Sequence, residues 1–199
     1  MIDVRPVRLE TRSLVLEPLS LDHSDELLET VDENTFQFYM GIMPATLSPA
    51  DFRHYIGQTL AYPNTVSVVA RDKASGKLVA KSSFMDIRAV HDGLEIGMTW
   101  IAAPMRGTYV NPEMKLEMMR HAFEDLGCVR VQLKTDMRNL QSRAAILKAG
   151  AKFEGTLRKH GIRPDGYVRD TAMYSVIAEE WPEVKRLLED RVAAAGSQP

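Results

Sequence analysis

Cysteine is almost absent from this 199-residue chain. The one that occurs, Cys128, has no partner for an internal disulfide. Its place in an apolar stretch suits a small core side chain better than a nucleophile. The five histidines are scattered and form no metal-ligand spacing with that cysteine, so no metal site is expected. The N-terminus lacks the apolar run of a signal peptide, and nowhere is there the stretch of roughly 20 apolar residues that a membrane helix needs. A cytoplasmic protein without a membrane partner is the expectation. An excess of one charge is lacking too: 25 Lys and Arg stand against 27 Asp and Glu, for a formal net charge of −2. With no basic-aromatic surface motif besides, that balance argues against nucleic acid as a partner. Neither an internal repeat nor a low-complexity segment stands out. What is present in quantity is hydrophobic sequence, 45% of the chain, enough for one domain over 1–199 with a substantial core.

The most informative stretch runs from 94 to 127. Leu94, Ile96, Met98 and Trp100 alternate with Glu95, Gly97, Thr99 and Ile101, the period of a strand. Pro104 ends that strand, since proline has no N–H to give to a ladder. Asn111 and Pro112 suit the cap and first turn of a helix, and Leu116, Met119, Phe123 and Leu126 continue it to Gly127. A loop feeding such a helix presents free backbone N–H groups at the positive end of its dipole, beside the charge of Arg106. An anion fits there; an ordinary strand-to-helix connection explains the same residues.

The pattern then repeats. Residues 128–135 alternate as a second strand, 136–139 turn, and a helix runs from about Leu140 to Ala149, stopped by Gly150. Within 128–152 lie Arg130, Lys134, Arg138, Arg143, Lys148 and Lys152 against only Asp136. Such a local excess suits a polyanionic ligand, though solvated cations on a helix face need none.

Elsewhere the chain reads as a strand at 13–18, a helix over about 21–32 capped by Ser20, and a helix opened by Ser48-Pro49-Ala50-Asp51 with Phe52, Tyr55, Ile56 and Leu60 on one stripe. Strands follow at 65–71 and 77–84, and later at 151–160 and 167–177, the last two joined by Pro164-Asp165-Gly166. Trp181-Pro182 opens a final helix, and 194–199 is read as a frayed tail. The segment 22–33 carries six carboxylates and neither lysine nor arginine; it is either a solvated face or a rim that attracts a cationic amine. Phe36, Phe38, Tyr39, Met40, Ile42 and Met43 either pack as core or line a small-ligand pocket.

The runs Arg106-Gly107-Thr108-Tyr109-Val110-Asn111-Pro112-Glu113 and Leu133-Lys134-Thr135-Asp136, with Arg138, Asn139 and Ser142, resemble the acetyl-CoA-binding core of the GNAT N-acetyltransferases. The branch most similar is that of the N-terminal acetyltransferases of ribosomal proteins. Residues 154–158, 165–171 and 9–19 extend the likeness over nearly the whole chain. It implies an α/β fold (α+β): a mixed, mainly antiparallel twisted sheet, splayed at its centre and flanked by helices. It implies acetyl-CoA as donor and a primary amine as acceptor, a protein N-terminal α-amine or a small amine such as a polyamine, amino acid or antibiotic. A CoA-binding regulatory or scaffold protein without activity is the third alternative. The pantetheine would lie in the splay beside Trp100 and Ile101, and the pyrophosphate on the amides of 106–111, namely Arg106, Gly107, Thr108, Tyr109, Val110 and Asn111. Asn139, Ser142 and Arg143 complete the expected cofactor site. Ser142 stands as the acid near the thiol with Tyr174 as its competitor, and Glu95 is the candidate base acting through water. A homodimer is also implied. One departure is Tyr109, where most relatives carry a second glycine that lets backbone approach the phosphates.

Overall fold

In a computed structural model describing residues 1–163 and 165–195, the seven expected strands are joined by a short one at Leu9–Glu10, which the sequence pattern does not mark, to give eight strands of one sheet. They are β1 (Leu9–Glu10), β2 (Leu14–Pro18), β3 (Val66–Asp72), β4 (Leu78–Arg88), β5 (Gly93–Ile101), β6 (Arg130–Asp136), β7 (Lys152–Ile162) and β8 (Val168–Ile177). Their order is β1-β2-β3-β4-β5-β6-β8-β7. Every neighbouring pair is antiparallel except β5 and β6, which run parallel as the connecting helix requires. That parallel pair is short. It registers Gly93 with Arg130, Leu94 with Val131 and Glu95 with Gln132, and goes no further. Beyond Glu95 and Gln132 the two strands part, so the sheet is splayed at its centre.

The helices are α1 (Ser24–Leu28), α2 (Pro49–Leu60), α3 (Val110–Arg120), α4 (Leu140–Lys148) and α5 (Trp181–Ala195). The sheet separates two apolar clusters. One joins Met114, Met118 and Met119 of α3, Ile146 of α4 and Leu188 of α5 to Phe84, Leu94, Ile96 and Leu133. The other joins Leu27 of α1 and Phe52, Tyr55 and Ile56 of α2 to Val69, Leu78 and Trp100. In α2 the expected start is realised: Pro49 occupies the first turn and Ser48 Oγ accepts from the Asp51 amide at 3.2 Å.

Three local expectations are corrected. The helix at 21–32 is a 3-10 turn (Leu21–His23) followed by the single turn and a half of α1. Beyond α1, the Thr30 hydroxyl donates to the Leu27 carbonyl at 2.7 Å, a local bond that competes with helix continuation. Secondly, α3 begins at Val110, so Asn111 and Pro112 lie inside its first turn rather than capping it. The helix then widens into a π turn (His121–Asp125) before Gly127 ends it at φ 74°. Thirdly, Leu60 is exposed and Thr59 takes the buried place on α2. Pro164 of the expected turn lies outside the described residues; of the tail expected at 194–199, residues 194 and 195 are instead the last of α5, and 196–199 lie outside the described residues. Cys128 is buried in the core and its thiol is pushed up to about 11 by that burial, as expected of a packing residue.

Candidate active site

The parting of β5 and β6 opens a cleft of about 390 Å³ between the strands, lined also by α3, α4 and the segment 34–39. Its floor on β5 is irregular. Ser83 pairs with Gly97 and Lys81 with Trp100, so Met98 and Thr99 both stand opposite Ser82. This bulge holds Met98 at φ 50°, a costly conformation for a side chain with a Cβ and one that concentrates at functional sites. The bulge also turns the strand away from β6, which leaves its later backbone groups facing the opening. Gly97 leaves room next to it: a Cβ there would lie 2.7 Å from Met85 Sδ and 2.8 Å from Glu95 Oε1, so those side chains would have to shift.

The N-terminus of α3 closes one end. The amides of Gly107, Thr108, Tyr109 and Asn111 find no acceptor among the described residues, which is the usual state of a first helical turn and a ready anion site. The positive φ of this loop falls on Gly107, at 82°, with open space around it. Tyr109 sits at φ −63°, which any residue adopts, so a tyrosine there introduces no strain. Its ring packs against the core, and its hydroxyl donates to Asp72 Oδ1 of β3 at 2.7 Å. Burial, together with that carboxylate, pushes the phenol up to about 12. The ring is thus turned away from the loop's amides. Arg106 donates from Nε to the Ile101 carbonyl and pairs through Nη2 with Asp32 Oδ2, both at 3.1 Å. It lies across the mouth of the cleft, which it lines with Gly107.

Inside, cations meet hydroxyls. Lys115 of α3 is buried, lines the cleft, and donates to Thr99 Oγ1 at 3.1 Å. Lys134 of β6 lines it as well and pairs with Glu95 at 2.8 Å. Glu95 is 2% exposed and also accepts from Gln132 Nε2 at 3.0 Å. Beneath Trp100 lies a second buried lysine, Lys81, which donates to Ser83 Oγ at 3.0 Å. Behind the lining residues Tyr39 and Trp100, Phe36 packs edge-on against both of them and against the buried Tyr55. The β7–β8 hairpin fastens this segment, with Arg163 donating to the Gln37 carbonyl and Arg169 to that of Phe38.

A strand that leaves its parallel neighbour, a bulge, and a helix N-terminus at the end of the resulting cleft form a recognisable set. The family model for the acetyltransferase (GNAT) domain matches residues 13–152. The chain belongs to the GNAT acetyltransferase family. It is therefore an acyltransferase of a family that uses acetyl-CoA. Among solved structures, one of a protein assigned as an acetyltransferase from T. thermophilus is 36% identical at TM-score 0.88, covering 96% of this chain and 99% of that one. A GCN5-related N-acetyltransferase from Brucella melitensis is 28% identical at TM-score 0.87, covering 95% and 86%. Mycobacterium smegmatis RimJ in complex with CoA-disulfide shares the fold, with 19% identity, TM-score 0.72 and coverage of 92% and 89%. No curated protein matches the sequence.

Of the residues singled out from the GNAT resemblance, the cleft brings together Trp100, Ile101, Arg106, Gly107, Asn111, Asn139 and Ser142. Asn139 caps α4, its Oδ1 accepting from the Ser142 amide at 2.9 Å. Thr108, Tyr109 and Val110 are not in the lining; Thr108 Oγ1 donates to the Met105 carbonyl at 2.8 Å, and Val110 is core. Arg143 points elsewhere, donating to Tyr174 Oη at 3.2 Å and to the Met137 carbonyl at 3.3 Å. Tyr174 is wholly buried with Phe153 against its ring. Glu95 lies behind the cleft wall. Met98, Thr99, Lys115 and Thr135 line the cleft without having been singled out. For Lys115 a signal existed, its spacing of four from Asn111 on one helix face. Among the described residues no helix is long and apolar enough to cross a membrane, and no cluster of His, Cys, Asp and Glu could hold a metal ion.

Proposed function

We propose that the protein moves an acetyl group from acetyl-CoA to a protein N-terminal α-amine. The residues fit the donor. Free amides at Gly107, Thr108, Tyr109 and Asn111 and the charge of Arg106 suit a pyrophosphate, and the stretch of β5 from Thr99 to Ile101, which has no strand on its β6 side, suits an amide-bearing arm lying along it. When bound, acetyl-CoA supplies an activated acyl carbon and a leaving thiolate. On the protein's side, main-chain N–H groups near Ile101 stabilise the charge that develops on the carbonyl oxygen. Ser142, in the first turn of α4, hands its proton toward the sulfur. Tyr174 is the weaker candidate for that role, since its hydroxyl is engaged by Arg143 away from the cleft.

One observation carries the choice of acceptor. The described residues lining the cleft include neither a carboxylate nor a histidine. Glu95, the expected base, is sealed by Lys134 and Gln132. A site without a free base favours an amine that is already substantially neutral. An α-amine, with a pKa of roughly 8, meets that condition, whereas a lysine-like amine near 10.4 does not. The test is thiol release at pH 7.5 from acetyl-CoA with a peptide free only at its N-terminus, against the same peptide blocked there and bearing a free lysine. The neutral fractions alone favour the α-amine roughly 200-fold. Equal rates on both would replace this acceptor with a small or side-chain amine.

A further inference from the structure

We propose that Lys115 is a cofactor-binding residue, donating a hydrogen bond from its ammonium to an amide carbonyl oxygen of the pantetheine arm. This rests on the cleft being the acetyl-CoA site. Lys115 is 7% exposed, yet the surface it keeps faces the cleft. An ammonium carries three N–H donors, and among the described residues one acceptor meets it, Thr99 Oγ1 at 3.1 Å. That hydroxyl is shared with Ser82 Oγ at 2.8 Å. The carboxylate whose charge it feels is Glu95, already taken by Lys134.

Burying an ammonium against one hydroxyl is expensive, and Met114 and Met118 on the same helix show that apolar side chains fill this layer. A group that fills the cleft and offers oxygen acceptors removes the difficulty. Burial lowers the amine to about 8, so the charged form still prevails at pH 7. Lys81 makes the useful contrast. It is wholly buried and does not line the cleft, so nothing that binds there can satisfy it.

Position selects the arm rather than the phosphates. Lys115 stands one full helical turn, about 6 Å, inward of Asn111, behind the amides that end the loop. Its partner Thr99 lies on the bulged stretch of β5 that has no neighbouring strand on the β6 side. The arm has to pass that stretch to bring its sulfur into the splay.

The test is calorimetry of the wild type, Lys115→Met and Lys115→Gln with two probes: CoA, and 3′-phospho-ADP, which has the phosphates and lacks the arm. Loss of a charge-assisted hydrogen bond should weaken CoA binding by Lys115→Met roughly 10- to 100-fold, with Lys115→Gln in between. Affinity for 3′-phospho-ADP should stay within about twofold. Unchanged CoA affinity overturns the proposal, as does an equal loss for both probes, which would make Lys115 a phosphate ligand or a merely structural residue. A wild type that binds neither probe instead removes the cofactor site itself. Should the variants not fold, the Lys115 Cε resonance of the wild type decides: it moves with CoA and not with 3′-phospho-ADP, and a resonance unmoved by CoA overturns the assignment.

Discussion

Replacing Lys81 by methionine should make the protein more stable. Lys81 is wholly buried, donates to Ser83 Oγ at 3.0 Å, and lies 5.4 Å from the centre of the Trp100 ring. Burial alone lowers its amine from 10.5 to about 7. The unfolded chain therefore holds a proton that the folded chain releases, and stability rises with pH between those two values. At roughly 1.4 kcal/mol for each tenfold change, the folded state is penalised by about 4 kcal/mol at pH 7, about 2 kcal/mol at pH 9, and close to nothing above about pH 11. Methionine fills a similar volume without an amine. It forfeits one hydrogen bond, about 1 kcal/mol, and leaves the Ser83 hydroxyl its other partner, Ser67 Oγ at 2.8 Å. The net gain at pH 7 is about 2–3 kcal/mol. Urea unfolding of both proteins at pH 7, 8 and 9 measures it as a difference, which cancels the contribution of Lys115. The gain should shrink steadily as pH rises. A variant less stable than the wild type at pH 7, or a gain independent of pH, would refute the account of this lysine.

Other residues give further expectations. Arg106→Ala should raise the Kd for acetyl-CoA about tenfold in calorimetry, with thermal unfolding almost unmoved, because its ion pair with Asp32 is half-exposed. Asp32→Asn releases the same guanidinium and should tighten acetyl-CoA binding about two- to fivefold; weaker binding would mean that Asp32 orders the mouth of the cleft instead. Ser142→Ala should lower kcat about 10- to 100-fold in a thiol-release assay with a much smaller rise in the Kd for acetyl-CoA, and an unchanged kcat would remove the serine as proton donor. Gly97→Ala should cost about 1–3 kcal/mol in urea unfolding, since its Cβ meets Met85 and Glu95 below 3.0 Å.

The frame of the site was legible in the sequence, and the reason is local. Alternation at 94–101, Pro104 as a stop and the helical spacing after 112 each report on neighbouring residues, and the structure realises them as β5, a turn and α3. Capping was misjudged by a residue or two because Asn111 and Pro112 tolerate the first turn as well as its boundary. What stayed hidden depends on register between distant strands. Glu95 reads as a lone carboxylate on a strand until β6 places Lys134 and Gln132 against it. The bulge at Met98 leaves no trace, since neither a glycine nor an asparagine marks the positive φ. Lys81 follows Ala80 and precedes Ser82 in a stretch whose polarity says nothing of burial under Trp100. The question posed by Tyr109 could be answered only in three dimensions, where the loop takes its positive φ at Gly107 and the ring leaves for Asp72.

The most direct measurement is calorimetry of the purified protein with acetyl-CoA, followed by thiol release on adding a peptide with a free N-terminus. Stoichiometric binding followed by turnover is the predicted result. Binding without turnover on any amine would leave a CoA-binding protein that has lost its chemistry. No binding at all would contradict the central claim, that the cleft between β5 and β6 is an acetyl-CoA site.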